Sequence, residues 1–101
     1  TPTYGSTVSI NAAAGKTFIV TASDTNPFTI AAPTSPAYGQ EIRITIKNTS
    51  GGALGTATWN AAYHLGASWT QPADTKNRSI TFYYDGNAWI EVNRSAADVS
   101  N

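Results

Sequence analysis

The sequence predicts an all-β fold, specifically an antiparallel β-sandwich of about seven or eight strands. Short segments rich in β-branched and aromatic residues recur about every eight to twelve residues, separated by Gly, Pro or Asn. The one Ala-rich stretch, residues 11–16, contains Gly15 and is too short for a stable helix. With 101 residues, the chain is expected to form one domain over residues 1–101, around one core. Strand spacing does not choose among sandwich topologies, of which the jelly roll is one.

The first predicted strands are short. Residues 7–10 and 28–32 each read as a brief strand, and residues 17–22 (TFIVTA) carry apolar side chains on both faces. Apolar residues on both faces are typical of a strand covered on two sides. We therefore expect residues 17–22 to lie centrally or at a subunit interface.

The clearest strand is Glu41–Asn48, where Ile42, Ile44 and Ile46 alternate with charged and polar residues. This period of two predicts a half-buried strand. Before it, Pro33, Pro36 and Gly39 mark an irregular connection in which Tyr38 is expected to pack. After it come a Gly-rich turn, a strand over residues 56–59 and a short strand over residues 63–65. No tandem repeat at the period of a solenoid or propeller is evident.

Residues 78–93 (RSITFYYDGNAWIEVN) predict a hairpin around an Asp85-Gly86-Asn87 turn. Alternation places Ile80 and Phe82 on the core face of the first strand, and Ala88, Ile90 and Val92 on the core face of the second. Matching these faces pairs Phe82 with Ile90 and points Tyr83 and Trp89 outward together. Residues 95–101 are expected to form a polar tail, and the chain as a whole to be a fragment of a longer protein.

The composition excludes several classes of partner. Six Lys and Arg residues balance six Asp and Glu residues, which gives a formal net charge of zero. A neutral chain lacks the general attraction for nucleic acid or for anionic membranes. No apolar run approaches the length of a membrane span, and the chain has no cysteine. We therefore expect neither a nucleic-acid partner nor insertion into a membrane.

The sequence gives little reason to expect an enzyme. His64 is the only histidine, and no nucleophile motif accompanies it. The acidic residues are scattered singly, which does not predict a pair of catalytic carboxylates or a zinc site. Asp24 and Asp85 could bind calcium with turn carbonyls, but Asp in a turn more often accepts hydrogen bonds from local amides. We predict no catalytic residue, no metal and no cofactor.

Aromatic residues are the more informative set. Exposed aromatic rings can stack on sugar rings while nearby polar groups bind the hydroxyls, whereas the same residues in strands often build a core or an interface. Trp59 is expected in the core, and Trp69 is expected either at a binding surface or at an interface. The residues that we predict for carbohydrate binding are Trp69, Trp89, Tyr83, Tyr63 and His64.

From about Phe28 onward, the chain resembles small β modules near the C-termini of tail-fibre and other virion proteins of tailed bacteriophages. The resemblance is carried by residues 39–48 (GQEIRITIKN), 51–59 (GGALGTATW), 63–70 (YHLGASWT) and 80–92 (ITFYYDGNAWIEV). The Tyr84-Asp85-Gly86 turn, followed by Trp89, is its most specific part. The run Tyr63-His64-Leu65 departs from the family pattern, which is more aliphatic or basic-aromatic there.

The resemblance implies a virion structural module, located outside the cell when assembled. It also implies a homotrimer at the tip or along the shaft of a fibre, where the module stabilises the assembly or contacts a glycan on the host surface. The alternative is a carbohydrate-binding module that recognises glycans through exposed aromatic residues.

Overall fold

The structure is a computed structural model that describes residues 2–101, and its fold is all-β, as predicted. One 3₁₀ turn, η1 (Ala12–Ala14), lies in the Ala-rich stretch. The strands of residues 2–101 are β1 (Thr7–Val8), β2 (Thr17–Ala22), β3 (Phe28–Ile30), β4 (Glu41–Asn48), β5 (Ala57–Trp59), β6 (Tyr63–His64), β7 (Lys76–Tyr84), β8 (Trp89–Arg94) and β9 (Val99–Ser100).

The strands form a three-stranded sheet in the order β1-β3-β5 and a six-stranded sheet in the order β2-β4-β7-β8-β6, with β9 on β7. All pairs of the smaller sheet are parallel, as are β2–β4 and β6–β8, whereas β4–β7, β7–β8 and β7–β9 are antiparallel. The prediction of antiparallel pairing is therefore wrong for the N-terminal half. Alternation of apolar and polar residues is the same in both pairings, so it could not distinguish them.

From β1 to β4, consecutive strands alternate between the two sheets, and we call one strand of each sheet together a coil. The first coil contains β1 and β2, and the second coil contains β3 and β4, which pair with β1 and β2 in parallel. Thr7 pairs with Thr29, and Thr29 pairs with Thr58, so these two steps are 29 − 7 = 22 and 58 − 29 = 29 residues long. The long axis of the molecule measures 38 Å, against 25 and 21 Å for the other two axes.

The core lies between the two sheets and consists mainly of aliphatic side chains that alternate along the strands. In β2 and β4 every second residue is buried, as their alternation requires. The largest buried core side chains are Trp89, Phe82, Ile10, Ile30, Ile42, Ile44, Ile46 and Ile80. Apart from Ile19, which is partly exposed at 39%, the outward face of β2 is polar, so burial of β2 on two sides does not hold within the chain.

The hairpin of β7 and β8 forms, but its register differs from the prediction. Tyr83 pairs with Ile90, Tyr84 pairs with Trp89, and the register shifts by one residue after Thr81. The shift leaves Val92 as an additional residue of β8, and Val92 is exposed. Next to the turn the pairs are offset by one residue from the predicted pairs. Phe82 therefore pairs with Glu91 instead of Ile90, and Trp89 points into the core instead of outward beside Tyr83.

The segment predicted as a polar tail includes β9. Val99 and Ser100 pair with Asn77 and Lys76, and the Asn101 side-chain amide donates to the Asn48 carbonyl oxygen at 3.0 Å. The Arg78 guanidinium also pairs with the Asp98 carboxylate. The last residues thus lie along β7 and near the end of β4.

Candidate functional site

Two of the predicted glycan-binding aromatics lie in the core. Trp89 is 1% exposed and Tyr63 is 5% exposed, and they are cross-strand neighbours in β8 and β6. The Tyr63 hydroxyl donates to the Ala31 carbonyl oxygen at 2.9 Å, and burial raises the pKa of this phenol. The Trp89 ring packs against Tyr84 with centroids 5.0 Å apart. Neither ring is available to a ligand at the surface, and both stabilise the fold.

Trp69 is half-buried and packs against the rest of the protein. Its ring meets Trp59 edge to face with centroids 5.4 Å apart, and its indole Nε1 donates to Gln71 Oε1 at 2.9 Å. Gln71 in turn donates to the Gly55 carbonyl oxygen at 2.7 Å. The Arg94 guanidinium lies 5.9 Å from the Trp69 ring centroid, within the range of a cation–π contact. Trp69 thus packs within the chain, whereas the sequence led us to expect a binding surface or an interface.

The loop that carries Trp69 is held by an ion pair. Glu91 accepts a hydrogen bond from Arg94 and from the backbone N–H of Gly66, while Arg94 donates to the Ala67 and Ser68 carbonyl oxygens at 2.8 and 2.9 Å. The hydrogen bond from Arg94 holds the pKa of Glu91 below its usual value, and the Gly66 amide adds to this effect. The pair fixes residues 66–68 against β8.

Tyr83 and His64, the other two predicted residues, lie on the outward face of the six-stranded sheet. Glu41 pairs with Tyr83, Tyr83 with Ile90, and Ile90 with His64, so these four residues form one row across β4, β7, β8 and β6. We call this set the outer row. Neighbouring strands lie about 4.8 Å apart, which places the backbones of Tyr83 and His64 about 10 Å apart. Both residues are exposed, Tyr83 to 39%.

Tyr38 adds a further exposed ring near the hairpin turn. It is 83% exposed, so the expectation that it packs is wrong. The next residue, Gly39, donates its N–H to the Tyr84 carbonyl oxygen at 2.8 Å, which places Tyr38 beside the turn. A Cβ on Gly86 would lie 3.4 Å from the Tyr38 ring, and Gly86 itself has a φ of 94°. The Pro36-x-x-Gly39 turn was the sequence signal that this aromatic residue sits in an exposed connection.

Asp85 shapes the turn between Tyr84 and Trp89. Its carboxylate accepts hydrogen bonds from the Ala88 and Asn87 amides at 2.8 and 2.9 Å, which lower its pKa. Asp85 therefore has the turn-capping contacts that the sequence favoured over calcium binding.

Asp24 has a similar local role at the other end of the chain. It accepts hydrogen bonds from the Tyr4 hydroxyl at 2.7 Å and from the Asn26 amide at 3.0 Å, and the first of these is the main reason that its pKa is lowered. Within residues 2–101, no three His, Asp or Glu side chains come together as a potential metal site.

The geometry leaves one surface with exposed aromatic and polar groups together. Tyr38, the outer row and the Asp85 turn offer two tyrosine rings, an imidazole and two carboxylates near the turn between β7 and β8. Such groups can stack on an apolar ring face and hydrogen-bond its substituents.

In the described part of the chain, no helix is long and apolar enough to span a membrane. Comparisons with protein-family models, curated proteins and solved structures found no match for this chain.

Proposed function

We propose that this chain is a structural module of a virion, of the kind found in the tail fibres of tailed bacteriophages, and that it acts without catalysis. The observation that carries this proposal is the parallel stacking of β1-β3-β5 and of β2–β4. Stacked coils contact mainly their neighbours and build long structures in one direction, which is what a fibre requires. The resemblance of residues 39–92 to virion modules supports the same function.

In this proposal the two sheets are the walls of a short β-solenoid, with the antiparallel strands β7 and β8 added to one wall, instead of the two faces of a sandwich. The elongated shape, 38 Å by 25 Å by 21 Å, agrees with this architecture. The module is located in the virion, outside the cell once the particle is assembled.

The assembled form in this proposal is a homotrimer. The chain has no net charge, so copies do not repel one another strongly, and several large apolar side chains are left partly exposed. Burying apolar groups between copies would remove them from water. These side chains are Ile19, Val92 and Val99.

Sedimentation equilibrium at micromolar concentration tests the assembly. Three copies of a 10.6 kDa chain would sediment as a species of about three times that mass. A monomer at this concentration would contradict the trimer. The genes that flank the coding sequence test the virion role separately, since a location away from virion genes would count against it.

A second candidate function is recognition of a host-surface glycan by Tyr38 and the outer row. The specific observation is the exposure of Tyr38 and Tyr83, at 83% and 39%, on a fold that buries most other aromatic rings. A glycan array identifies a ligand, and Tyr38→Ala and Tyr83→Ala should each weaken its binding about three- to tenfold through lost stacking. Thr21→Ala, an exposed position on β2, is the matched control. Binding to no glycan, or equal binding by all variants, would refute this function.

A further inference from the structure

The first coil has an unpaired strand edge in the six-stranded sheet. β2 is the outermost strand of this sheet and pairs only with β4. The Arg43 N–H donates to the Lys16 carbonyl oxygen at 2.7 Å, and the Thr49 N–H donates to the Ala22 carbonyl oxygen at 3.0 Å. In a parallel pair, alternate residues direct both backbone groups to the same neighbour. The residues whose N–H and C=O groups point away from β4 are therefore Thr17, Ile19 and Thr21.

The first coil has a second unpaired edge in the three-stranded sheet. β1 is the outermost strand there and pairs only with β3. Ser6 and Val8 accept hydrogen bonds from Thr29 and Ala31, both at 2.9 Å, so the alternate residue Thr7 directs its backbone groups outward. The two free edges belong to one coil and lie at the same end of the stack.

A groove lies at this end, between the two free edges. Its volume is about 620 Å³, and it is lined by residues of both strands and of the segments that flank them, including Tyr4, Ser9, Ala14 and Phe18. The side chain of Phe18 projects inward from β2 and is 6% exposed. The groove thus joins the two edges into one continuous surface, which we call the coil rim.

The opposite end of the stack is closed. The loop that carries Trp69 and Gln71 packs beside β5, where Gln71 donates to the carbonyl oxygen of Gly55, two residues before the strand, and Trp69 contacts Trp59. In the larger sheet β7 and β8 follow β4, and the strands at that margin, β6 and β9, have only two residues each. The two ends therefore differ, and within residues 2–101 only the coil rim presents the unpaired edges of two strands that have parallel partners.

Native edge strands are usually protected by charged residues, proline or a bulge. The six residues of β2 contain no charge and no proline, and their pairing with β4 is regular from Thr17 to Ala22. An unprotected edge of this length is a template for another strand.

We propose that the coil rim is the seat for a further β-coil, supplied by an adjoining segment of the fibre, whose two strands add in parallel to β1 and β2. The occupant is a coil instead of a single strand because two edges of different sheets must be paired at once. The contact continues the one that the first coil already makes with the second coil on its other side. The occupant therefore needs aliphatic residues at inward positions of both strands, as β3 and β4 have. This proposal rests on the proposed structural function in a fibre.

The chain's own first coil can serve as the probe. Since Thr7 pairs with Thr29, the first step is 22 residues long, and a second copy of residues 1–22 inserted ahead of the intact chain keeps this step. Six residues, 1–6, would then connect the inserted copy of Ala22 to Thr7, just as residues 23–28 connect Ala22 to Thr29.

The measurement is amide hydrogen exchange by NMR in the original coil, with and without the insertion. In the unmodified chain, the Thr17, Ile19 and Thr21 amides should exchange quickly, while the Phe18 and Val20 amides are protected by β4. With the inserted coil docked, the first three should slow by about 100-fold or more. Unchanged exchange in an otherwise folded chain, or unfolding of the chain by the insertion, would overturn the proposal.

Two substitutions in the original coil sharpen the test. Ile19→Pro removes the central outward N–H but none of the hydrogen bonds to β4, a position where edge strands tolerate proline. It should abolish the slowing at Thr17 and Thr21, whereas Ile19→Thr retains the N–H and should preserve it. If the proline variant does not fold, the comparison of exchange in the unsubstituted chain with and without the inserted coil still decides the question. Sedimentation and exchange are independent measurements. A trimer in which the inserted coil does not dock would refute only the docking proposal, and a monomer in which it docks would refute only the trimer.

Discussion

Asn48 provides a stringent test of how the stack is held together. It is the fully buried polar residue at the end of β4, with 0% exposure. Its Nδ2 donates to the Gly52 and Pro72 carbonyl oxygens at 2.8 and 3.1 Å, and its Oδ1 accepts from the N–H and the hydroxyl of Ser50 at 3.0 and 2.7 Å. One side chain thereby joins β4, the Gly-rich turn and the loop before β7.

The substitution Asn48→Ala removes all four hydrogen bonds. A typical hydrogen bond contributes about 1 kcal/mol net, and Gly52 retains a second donor in the Ser50 hydroxyl at 3.0 Å. We therefore expect a loss of about 3 kcal/mol in the free energy of unfolding. For a domain of this size, this corresponds to a fall in Tm of about 12–24 °C.

Thermal and urea unfolding followed by circular dichroism measure this loss. Asn93→Ala is the matched control, because Asn93 is exposed on β8, and it should change the stability by less than about 0.5 kcal/mol. Asn48→Asp conserves shape but directs a carboxylate oxygen at two carbonyl oxygens, and it should destabilise at neutral pH at least as much as Asn48→Ala. A loss below about 1 kcal/mol for Asn48→Ala would refute the reasoning.

Three further predictions follow from the packing and the charges. Trp89→Ala should destabilise by about 3–5 kcal/mol in urea unfolding while Tyr83→Ala changes little, because Trp89 is buried and Tyr83 points outward; equal effects would contradict the observed register. Gly55→Ala should cost at least about 2–3 kcal/mol, since its Cβ would lie 2.5 Å from the Pro27 backbone nitrogen. The folded-state pKa of Glu91 is lowered, so its stabilisation is present above its unfolded pKa of about 4.3 and is lost as the pH falls through the folded value. Unfolding of Glu91→Gln between pH 6 and pH 3 should accordingly depend less on pH than that of the unmodified chain.

The alternation of residues along the chain predicted the strands well but not their partners. Ile42, Ile44 and Ile46 are buried as expected, because a period of two follows directly from the pleat of one strand. Parallel pairing is a property of two strands, and it depends on the connections between them. Those connections are irregular in length, with steps of 22 and 29 residues, so no repeat was visible in the sequence.

The hairpin shows how one additional residue reverses a face. The alternation of residues predicted Val92 in the core and Trp89 outside, on the assumption of a regular ladder in which Phe82 pairs with Ile90. The pairs next to the turn are offset by one residue from the predicted pairs, and this offset aligns Trp89 with Tyr84 and Tyr63 on the core side. The separate shift after Thr81 leaves Val92 unpaired. A bulge has no sequence signature as strong as alternation, although the large Trp ring gains more from burial than Val does. Burial of Trp89 outweighed the regular register.

The candidate site was predicted only in part, because the sequence did not show which face of the sheet each aromatic residue occupies. Tyr83 and His64 lie outward and share the outer row, whereas Trp89 and Tyr63 occupy the core and Trp69 packs under Arg94. Aromatic residues in strands have no intrinsic preference for either face, so their presence in the sequence could not show which of them were exposed. The exposure of Tyr38 agrees with its place in the Pro36-x-x-Gly39 turn, which is visible in the sequence, whereas its position beside Gly86 is a tertiary contact.

The two proposed surfaces lie on different parts of the six-stranded sheet. The coil rim follows the edge of β2, whereas the outer row crosses β4, β7, β8 and β6. The first residue of β2, Thr17, pairs with Arg43, which lies two residues after Glu41 on β4. The outer row, which begins at Glu41, therefore includes no residue of β2. A coil docked in parallel on β2 therefore adds to the side of the sheet opposite β8 and β6. In the proposed fibre, a coil docked at the rim would leave Tyr38, Tyr83 and His64 accessible at the turn.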